Sequence, residues 1–420
     1  MSGEPSLSQK ASESYVDIVW RQFKKHVPAY VSLWLLAPLA LMAIFAPAIA
    51  SDQPLVFFDN GVMIFPWLRK LFNPGRGIDF VFNMALLGFA PWLAVAMVTN
   101  GIAKRRRVPG RRRLAMVVVE FVAMLILLLT VFSFDAIRPS DSYRQRTFIE
   151  EQFRSPETTW AIYTPIPFGP EEQDLDSIYK PPGYRKDASL RHDVNDGYVH
   201  VLGTDDTGRD VLVLMIYGIR IAITVGFVAV GFYITIGVIV GSLAGYFGGA
   251  VDMLLSRAIE VVLLFPAFFL ILTVVALWGP NIYNVMVVIG ITGWPTVARL
   301  IRGEVLKQRA IDYTVAARAL GASNLRVIFR HILPNAISPA LVSAPFGVAS
   351  AIIIEAGLSL LGYGVRPPTP SWGALLNLGR ANYNNWWLIV VPSVAIFLTV
   401  TIFNLVGSGL RDAMDPRLRK

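Results

Sequence analysis

The chain has 420 residues, of which 54% are hydrophobic and 16% are charged, and its mean hydropathy is +0.53. This composition is typical of a protein that crosses a membrane several times. Because the chain contains no cysteine, disulfides, thiolate metal sites and cysteine catalysis are excluded. Its four histidines are too scattered to indicate a metal cluster, so we expect neither a metal site nor a cofactor.

The chain has a net charge of +9, which we attribute to its membrane topology rather than to binding of a nucleic acid. Lys and Arg are concentrated in short loops beside apolar segments. That distribution follows the positive-inside rule, by which basic residues mark the cytoplasmic ends of membrane spans. We therefore expect membrane lipid, and no nucleic acid, as a partner.

The first third of the sequence predicts three membrane spans. A polar cytoplasmic segment at 1–27 precedes an apolar run at 28–50, which is long enough to cross a bilayer as a helix. After a mixed segment at 51–79, two apolar runs flank a loop at 104–113 in which seven of ten residues are basic. We interpret 80–134 as a membrane hairpin with a cytoplasmic loop, and 51–79 as periplasmic.

The longest polar stretch, 135–210, carries fifteen acids and nine bases, a net charge of −6. Five prolines between positions 165 and 182 make it irregular, and its charge is opposite to that of the basic loops. We interpret it as a periplasmic segment that is too long for a simple connector. Its cluster Trp160–Phe168 is predicted to give a partner protein an apolar anchor; the alternative is that the segment only covers the chain's own spans.

The remaining sequence predicts five further spans. A loop at 298–335 carries seven Lys and Arg against two acids, and the tail 411–420 is also basic, so both are predicted to be cytoplasmic. The prediction is then eight spans with both termini inside. The five apolar segments lie at about 212–246, 254–279, 282–302, 336–361 and 386–410, and the first has room for a short interfacial helix before its span.

Within the loop at 298–335, two short helices are predicted to meet at a glycine. Tyr313–Leu320 is helix-forming, Gly321 suits the left-handed position that ends a helix, and Ser323 is a good N-cap for the next one. Ala316 and Ala317 carry almost no side chain, so another protein can approach the backbone closely there. An ordinary basic cytoplasmic loop is the other explanation, and the residues alone do not decide between the two.

The same loop resembles the segment by which the permease of an ABC importer binds its ATPase. The resemblance consists of the paired alanines, the glycine and a Leu333-Pro334 pair at fixed spacing. Val315 stands where the family pattern begins with Glu, so no ionic contact is expected at that position. The resemblance implies a coupling loop at 303–335 that is formed around Ala316, Ala317, Gly321, Ser323 and Pro334.

Other motifs in the last 220 residues resemble the inner-membrane permeases of dipeptide and oligopeptide importers. The resemblance implies an all-α polytopic membrane protein, with a six-span type I ABC importer permease core that includes 211–410. The pair of spans at 80–134 is additional, which gives about eight spans in all. The motifs are Leu202-Gly-Thr-Asp-Asp-Thr-Gly-Arg-Asp210, Ala244-Gly-Tyr-Phe-Gly-Gly249, Gly293-Trp-Pro295, Pro367-Pro-Thr-Pro-Ser-Trp-Gly373 and Gly409-Leu-Arg-Asp-Ala-Met-Asp-Pro416.

This resemblance implies a subunit that moves di- and oligopeptides, or peptide-like solutes, across the bacterial inner membrane. Short upstream segments, Ser51–Val56 and Trp160–Gly169, look most like the permease of a microcin C-type peptide importer. The implied partners are ABC ATPase subunits, a second homologous permease and a periplasmic substrate-binding protein. Nickel or another small solute is the alternative cargo.

Two functions of another class compete with this interpretation. An ion-coupled secondary transporter would need ionisable groups near the membrane midplane, and the deep parts of the predicted spans are nearly free of charge. A membrane scaffold would need no ATPase. The chain has no Gly-x-x-x-x-Gly-Lys-Ser/Thr loop and no recognisable nucleophile–base pair, so it is not expected to be an enzyme, and ATP would be hydrolysed on other subunits.

Ionisable residues inside predicted spans are candidates for function. Glu120 is expected to reach the membrane interface, and Arg257 and Glu260 are expected to pair at i, i+3. Glu355 lies towards the outer part of its span. It is predicted either to make a helix-packing hydrogen bond or to bind the amine of a substrate.

Small residues and prolines predict how the spans are shaped. Gly237, Gly241 and Gly245 recur on one helix face and favour close helix packing, with a flexible hinge as the alternative. Pro266 and Pro295 are expected to kink their spans.

Overall fold

The computed structural model describes residues 15–59, 61–106, 108–134, 159–185 and 198–415. The ends of the chain and parts of the predicted periplasmic segment, at 135–158 and 186–197, lie outside the described residues. What the sequence predicts for those parts stays a prediction.

The described chain is mainly helical, with five short strands. The strands are β1 Val56–Asp59, β2 Val62–Ile64, β3 Thr159–Ile162, β4 Tyr184–Arg185 and β5 Val199–His200. The helices are α1 Tyr15–Lys25, α2 Val27–Ile49, α3 Pro66–Phe72, α4 Gly77–Arg105, α5 Gly110–Val131, α6 Val211–Phe247, α7 Gly249–Leu264, α8 Ala267–Trp278, α9 Ile282–Arg309, α10 Asp312–Ala319, α11 Asn324–Arg326, α12 Leu333–Ala336, α13 Ser338–Leu360, α14 Trp372–Ala381 and α15 Trp387–Met414.

Seven of the described helices are long and apolar enough to cross a membrane, and an eighth crossing results if the bent pair α7–α8 forms one span. The seven are α2, α4, most of α5, α6, α9, α13 and α15, with mean hydropathies of 1.4 to 2.8 in their most apolar windows. The prediction of an all-α polytopic membrane protein with about eight spans is confirmed by this set.

The segment predicted as one span at 254–279 is broken in the middle. Helix α7 ends at Leu264, α8 begins at Ala267, and the two axes differ by 83°. Phe265 is extended, with φ −84° and ψ 131°, because a residue before proline is disfavoured in helical conformation. The kink predicted at Pro266 is thus a full break, whereas α9 continues as a helix through Pro295.

Helix α6 differs from the prediction in the opposite way. It runs without interruption over 37 residues, so the described structure contains no separate interfacial helix before this span. Its first turn is capped by Asp210, whose Oδ1 accepts a hydrogen bond from the Val213 N–H at 3.0 Å.

The chain forms two compact units, whose boundaries fall inside α2, α6 and α15 and in the segment between α13 and α14. The first consists of the chain up to Pro38, Ile223–Arg366 and the chain from Ser393 onward. The second consists of Leu39–Ala222 and Pro367–Pro392.

In the first unit, the glycine face of α6 packs directly against α9. A Cβ atom added to Gly237, Gly241 or Gly245 would lie 2.8 Å or less from an atom of α9. No real Cβ atom fits at such distances, so the close helix packing predicted from these glycines is confirmed.

In the second unit, a three-stranded antiparallel sheet of order β2-β1-β3 joins the segment after α2 to the segment before α6. Helices α4 and α5 form the predicted hairpin. The Trp92 indole N–H of α4 donates to the Val117 carbonyl of α5 at 3.0 Å, and the Thr99 hydroxyl donates to Glu120 Oε2 at 3.1 Å. Glu120 therefore bonds across the hairpin, which differs from its predicted role at the interface.

A buried ionic cluster connects α4 to α6 in the same unit. Arg220, whose side chain is 1% exposed, donates through Nη1 to Asp79 Oδ1 at 2.8 Å and to Asn83 Oδ1 at 3.1 Å. Its Nε donates to the Ala43 carbonyl of α2 at 2.7 Å. Arg76 Nε approaches the other oxygen of Asp79 at 2.7 Å, so the carboxylate is held between two cations.

Candidate functional site

The loop between α9 and α13 folds into the two-helix elbow that the sequence predicts. Helix α10 ends in a Schellman motif: the Ala322 N–H donates to the Ala317 carbonyl at 3.1 Å, and the Gly321 N–H donates to the Arg318 carbonyl at 2.9 Å. Gly321 has φ +80°, which a residue with a Cβ adopts only with strain. The left-handed position predicted for this glycine is confirmed.

The second half of the elbow differs from the prediction. Ser323 is the N-cap residue of α11, but its side chain makes no capping hydrogen bond. After one turn the helix widens to π geometry over Val327–Ile332 and returns to α geometry at Leu333–Ala336. Pro334 sits in the first turn of α12, where its missing N–H costs little. A π segment is rare and occurs frequently at functional sites.

The two alanines of the elbow have different environments. Ala316 is exposed, whereas Ala317 is only 9% exposed. Ala317 thus offers little surface of its own in this conformation, and its predicted contact with a partner stays a prediction. Large apolar side chains are exposed instead: Val315 at 53%, Leu320 at 88%, Leu325 at 65% and Phe329 at 59%.

The end of α6 holds the elbow in place. The Tyr246 hydroxyl donates to Asn324 Oδ1 at 2.8 Å, and the Arg318 guanidinium lies 4.7 Å from the centre of the Tyr246 ring. Arg309 Nη1 donates to the Tyr246 carbonyl at 2.9 Å. The motif at 244–249 drew attention to its glycines, and this tyrosine was missed although it lies in the same motif.

A cavity of about 360 Å³ lies in the first unit, beside the break between α7 and α8. Helices α6, α9 and α13 contribute the other walls. No Asp, Glu, Lys, Arg or His lines it within the described residues, and its polar groups are hydroxyls, among them those of Tyr233, Thr296 and Ser350. Its size is within the range of small-ligand sites.

Glu355 does not line this cavity, although its neighbour Ile354 does. Its side chain is buried at 2% exposure, and Oε1 accepts a hydrogen bond from the Ser359 hydroxyl at 2.7 Å. That serine oxygen also accepts from the Val365 N–H at 3.2 Å, so the carboxylate helps to fix the end of α13 and the turn after it. These contacts support the packing role predicted for Glu355, and its role in binding a substrate amine stays a prediction.

The loop before α6, which carries the motif 202–210, is a dense internal network. Asp205, with 0% exposure, accepts from the Thr207 and Arg209 N–H groups at 2.9 Å each and from Arg209 Nε at 2.7 Å. Burial raises the pKa of Asp206 above its usual value, and the neighbouring charge of Asp205 raises it further. The guanidinium of Arg209 opposes this rise in the pKa of Asp206.

A second motif, 367–373, packs against α6 in the same unit. The Trp372 indole N–H donates to the Met215 carbonyl at 3.0 Å, and a Cβ at Gly218 would lie 2.7 Å from the indole ring. Ser371 caps α14 by accepting from the Ala374 N–H at 3.0 Å. These contacts account for the tryptophan, the serine and the glycine as one packed arrangement.

Of the two rings at the ends of the predicted apolar anchor Trp160–Phe168, one is exposed and the other is buried. Trp160, in β3, is 43% exposed and stacks on Phe58 at a ring distance of 5.5 Å. Phe168 is 6% exposed and stacks on His200 at 4.7 Å. The expectation that both rings form a docking surface is wrong for Phe168, because that ring fills the core of its own unit.

Comparisons with known proteins place the chain. Residues 237–420 match the inner membrane component of binding-protein-dependent transport systems, and residues 14–60 match the N-terminal membrane domain of oligopeptide transport permease C. The di/tripeptide permease DppC of Pseudomonas aeruginosa is 36% identical over 262 residues, which are 62% of this chain and 84% of that protein. The chain is a member of the binding-protein-dependent transport permease family.

Two further relatives of this permease have comparable similarity. The dipeptide permease DppC of Escherichia coli is 40% identical over 255 residues, 60% of this chain and 82% of the relative. The glutathione permease GsiD of Pectobacterium atrosepticum is 41% identical over 221 residues, 52% and 73% of the two chains. The predicted family is confirmed, and the permease is a multi-pass protein of the bacterial inner membrane.

The family matches divide the permease into familiar and additional parts. The elbow and Glu355 lie inside the match at 237–420, whereas the hairpin 80–134 lies outside both matches.

The buried cluster at Arg220 joins this hairpin to α6, which is the helix that leads into the matched region. Sequence reasoning missed Arg220, although it is the one charged residue in the span predicted at 212–246. A lone charge in a span is itself a signal.

Proposed function

We propose that this permease is the membrane subunit of an ATP-driven importer of di- and oligopeptides or similar solutes. The observation that carries the proposal is the set of relatives at 36–41% identity, whose names specify dipeptide, di/tripeptide and glutathione transport. The finer resemblance to a microcin C-type importer stays a prediction. Nickel is the weaker alternative, since the described cavity offers none of the His or carboxylate ligands that would suit it.

The proposed partners follow from the parts of the chain. The elbow binds an ATPase subunit on the cytoplasmic side, where the basic loop 303–335 places it under the positive-inside rule. A second, homologous permease completes the path through the membrane. The segment 135–210 lies on the periplasmic side and receives the substrate-binding protein. In this arrangement the permease hydrolyses no ATP itself, and both of its termini are cytoplasmic.

Purification from native membranes tests this proposal. A full-length tagged chain is expected to bring down ATPase subunits and a second permease, and the complex in liposomes should accumulate labelled dialanine only with ATP and a binding protein. Uptake of nickel in place of peptide would support the alternative cargo. Accumulation by the chain alone on an ion gradient would show a secondary transporter and contradict the proposal.

The exposed ring of Trp160 gives a test of the periplasmic contact. We expect Trp160→Ala to reduce uptake several-fold at limiting binding protein and to change it little at saturation, because aromatic anchors dominate transient interfaces. The measurement is the dependence of uptake on binding-protein concentration in proteoliposomes.

The matched control is Ile162→Ala, another exposed side chain of β3, at 50% exposure. Its loss should leave the dependence unchanged if Trp160 is a specific anchor. Phe168→Ala should instead lower the yield of folded complex, since that ring is buried. An unchanged concentration dependence for Trp160→Ala would exclude this ring from the contact.

A further inference from the structure

The cavity beside the α7–α8 break is bordered by Tyr233, whose hydroxyl is free to bond a molecule in the cavity. Tyr233 is 8% exposed, and its hydroxyl makes no hydrogen bond within the described residues. The hydroxyl oxygen keeps access to the cavity, since it is not one of the fully buried polar atoms that lack a partner, and most polar groups in proteins are hydrogen-bonded to protein or to ordered water. This hydroxyl borders an open cavity, so a molecule in the cavity can supply the missing partner.

Two glycines make room for the Tyr233 side chain. A Cβ atom at Gly347 of α13 would lie 1.4 Å from the Tyr233 hydroxyl oxygen, and one at Gly293 of α9 would lie 3.1 Å from its ring. Any side chain at 347 would therefore push the hydroxyl away from its present position. The tyrosine is held by backbone on two sides, which fixes where its hydroxyl points along the cavity wall.

We propose that this cavity is a peptide-binding site within the permease, and that Tyr233 donates a hydrogen bond from its hydroxyl to a main-chain carbonyl of the peptide in transit. The proposal rests on the proposed function and adds a site to it. Thr296 and Ser350 provide further hydroxyls on the facing walls, from α9 and α13.

The chemistry of the walls indicates the ligand class. Without charged groups, the site cannot select a cargo by the charge of its side chains. Apolar walls accept varied side chains, while a fixed hydroxyl recognises the carbonyl that every peptide carries. A bare metal ion would find no carboxylate or imidazole ligand among the lining residues. A lipid acyl chain would fill the apolar part but would leave the Tyr233 hydroxyl unpaired.

Tyr233→Phe tests the contact with almost no change of shape. We measure dialanine uptake by the full complex at saturating binding protein and expect it to fall about five- to tenfold. This factor corresponds to the loss of one hydrogen bond worth about 1 kcal/mol or slightly more. ATPase stimulation by the loaded binding protein should be retained. Tyr283→Phe is the matched control, because Tyr283 is 50% exposed and lies outside the cavity.

A modified peptide distinguishes direct contact from a structural effect. Thioamide dialanine, whose sulfur is a weak acceptor, should be taken up more slowly than dialanine by the wild type. Tyr233→Phe should abolish that difference. Equal sensitivity to the thioamide in both proteins, or full uptake by Tyr233→Phe, would overturn the proposal and leave an acyl chain as the occupant. If the wild-type complex imports no peptide at all, the proposed function itself has failed.

Discussion

Leu320→Asp is expected to prevent stable assembly of the permease with its ATPase, with a loss of affinity of at least about tenfold. Leu320 is 88% exposed at the tip of the elbow, directly before Gly321. Large apolar side chains that are this exposed, in a loop with seven basic residues, indicate a surface that contacts another protein rather than one that only faces water. Burying a carboxylate at such a contact would cost several kcal/mol unless it is paired, and tenfold corresponds to about 1.4 kcal/mol.

The measurement is co-purification of ATPase with the tagged permease, followed by ATPase activity in liposomes. Membrane insertion should be normal, because the substitution lies outside the predicted spans. Val62→Asp is a matched control, since it adds the same charge at an apolar residue of β2 that is 62% exposed. Normal assembly of Leu320→Asp together with normal transport would exclude the elbow tip as the ATPase contact.

Helical capping explains why the elbow could be predicted from the sequence in part. A helix often ends at a glycine in the left-handed conformation, and this rule depends only on local sequence; Gly321 has the positive φ that it predicts. The burial of Ala317 and the exposure of Ala316 depend on how the elbow is packed, which no local pattern encodes. The π segment at Val327–Ile332 likewise has no signal that we could identify in the sequence.

The spans were predictable for a different reason. Runs of apolar residues with basic flanks have one physical explanation in a membrane protein, and the helices fall where those runs lie. The 83° break after α7 was underestimated, since a proline alone does not reveal whether a helix bends or stops. Pro295 lies inside a continuous helix and shows the other outcome.

Contacts between residues that are far apart in the chain could not be predicted from the sequence. The partners of Arg220 come from α2 and from the additional hairpin, more than 130 positions away in the chain. Phe168 was counted in the apolar anchor because it ends an aromatic and proline cluster, yet its ring packs on His200. Both errors arise because distant segments supply the environment of these side chains.

Asp79→Leu should destabilise the permease by about 3–5 kcal/mol, the usual consequence of removing one partner from a buried ion pair. Arg220 would keep its contacts with the Ala43 carbonyl and Asn83 but would lose the Asp79 carboxylate, which lies 2.8 Å from Nη1. Arg220→Met should be less harmful, because Asp79 would retain its pair with Arg76 at 2.7 Å.

A double-mutant cycle on this pair decides whether the additional hairpin is held to α6 by charge. The stabilities of the wild type, the two single variants and the double variant are measured by thermal unfolding in detergent, with the loss of soluble complex as the readout. The double variant Asp79→Leu with Arg220→Met should be more stable than Asp79→Leu alone, because the buried guanidinium that lost its Asp79 contact is then removed as well. The exposed pair Arg257–Glu260, with side chains 76% and 53% exposed, serves as control, and Arg257→Met should change stability by less than about 1 kcal/mol. Additive effects at Asp79 and Arg220 would show that the pair contributes no coupling, and this ion pair would then not be what holds the hairpin to α6.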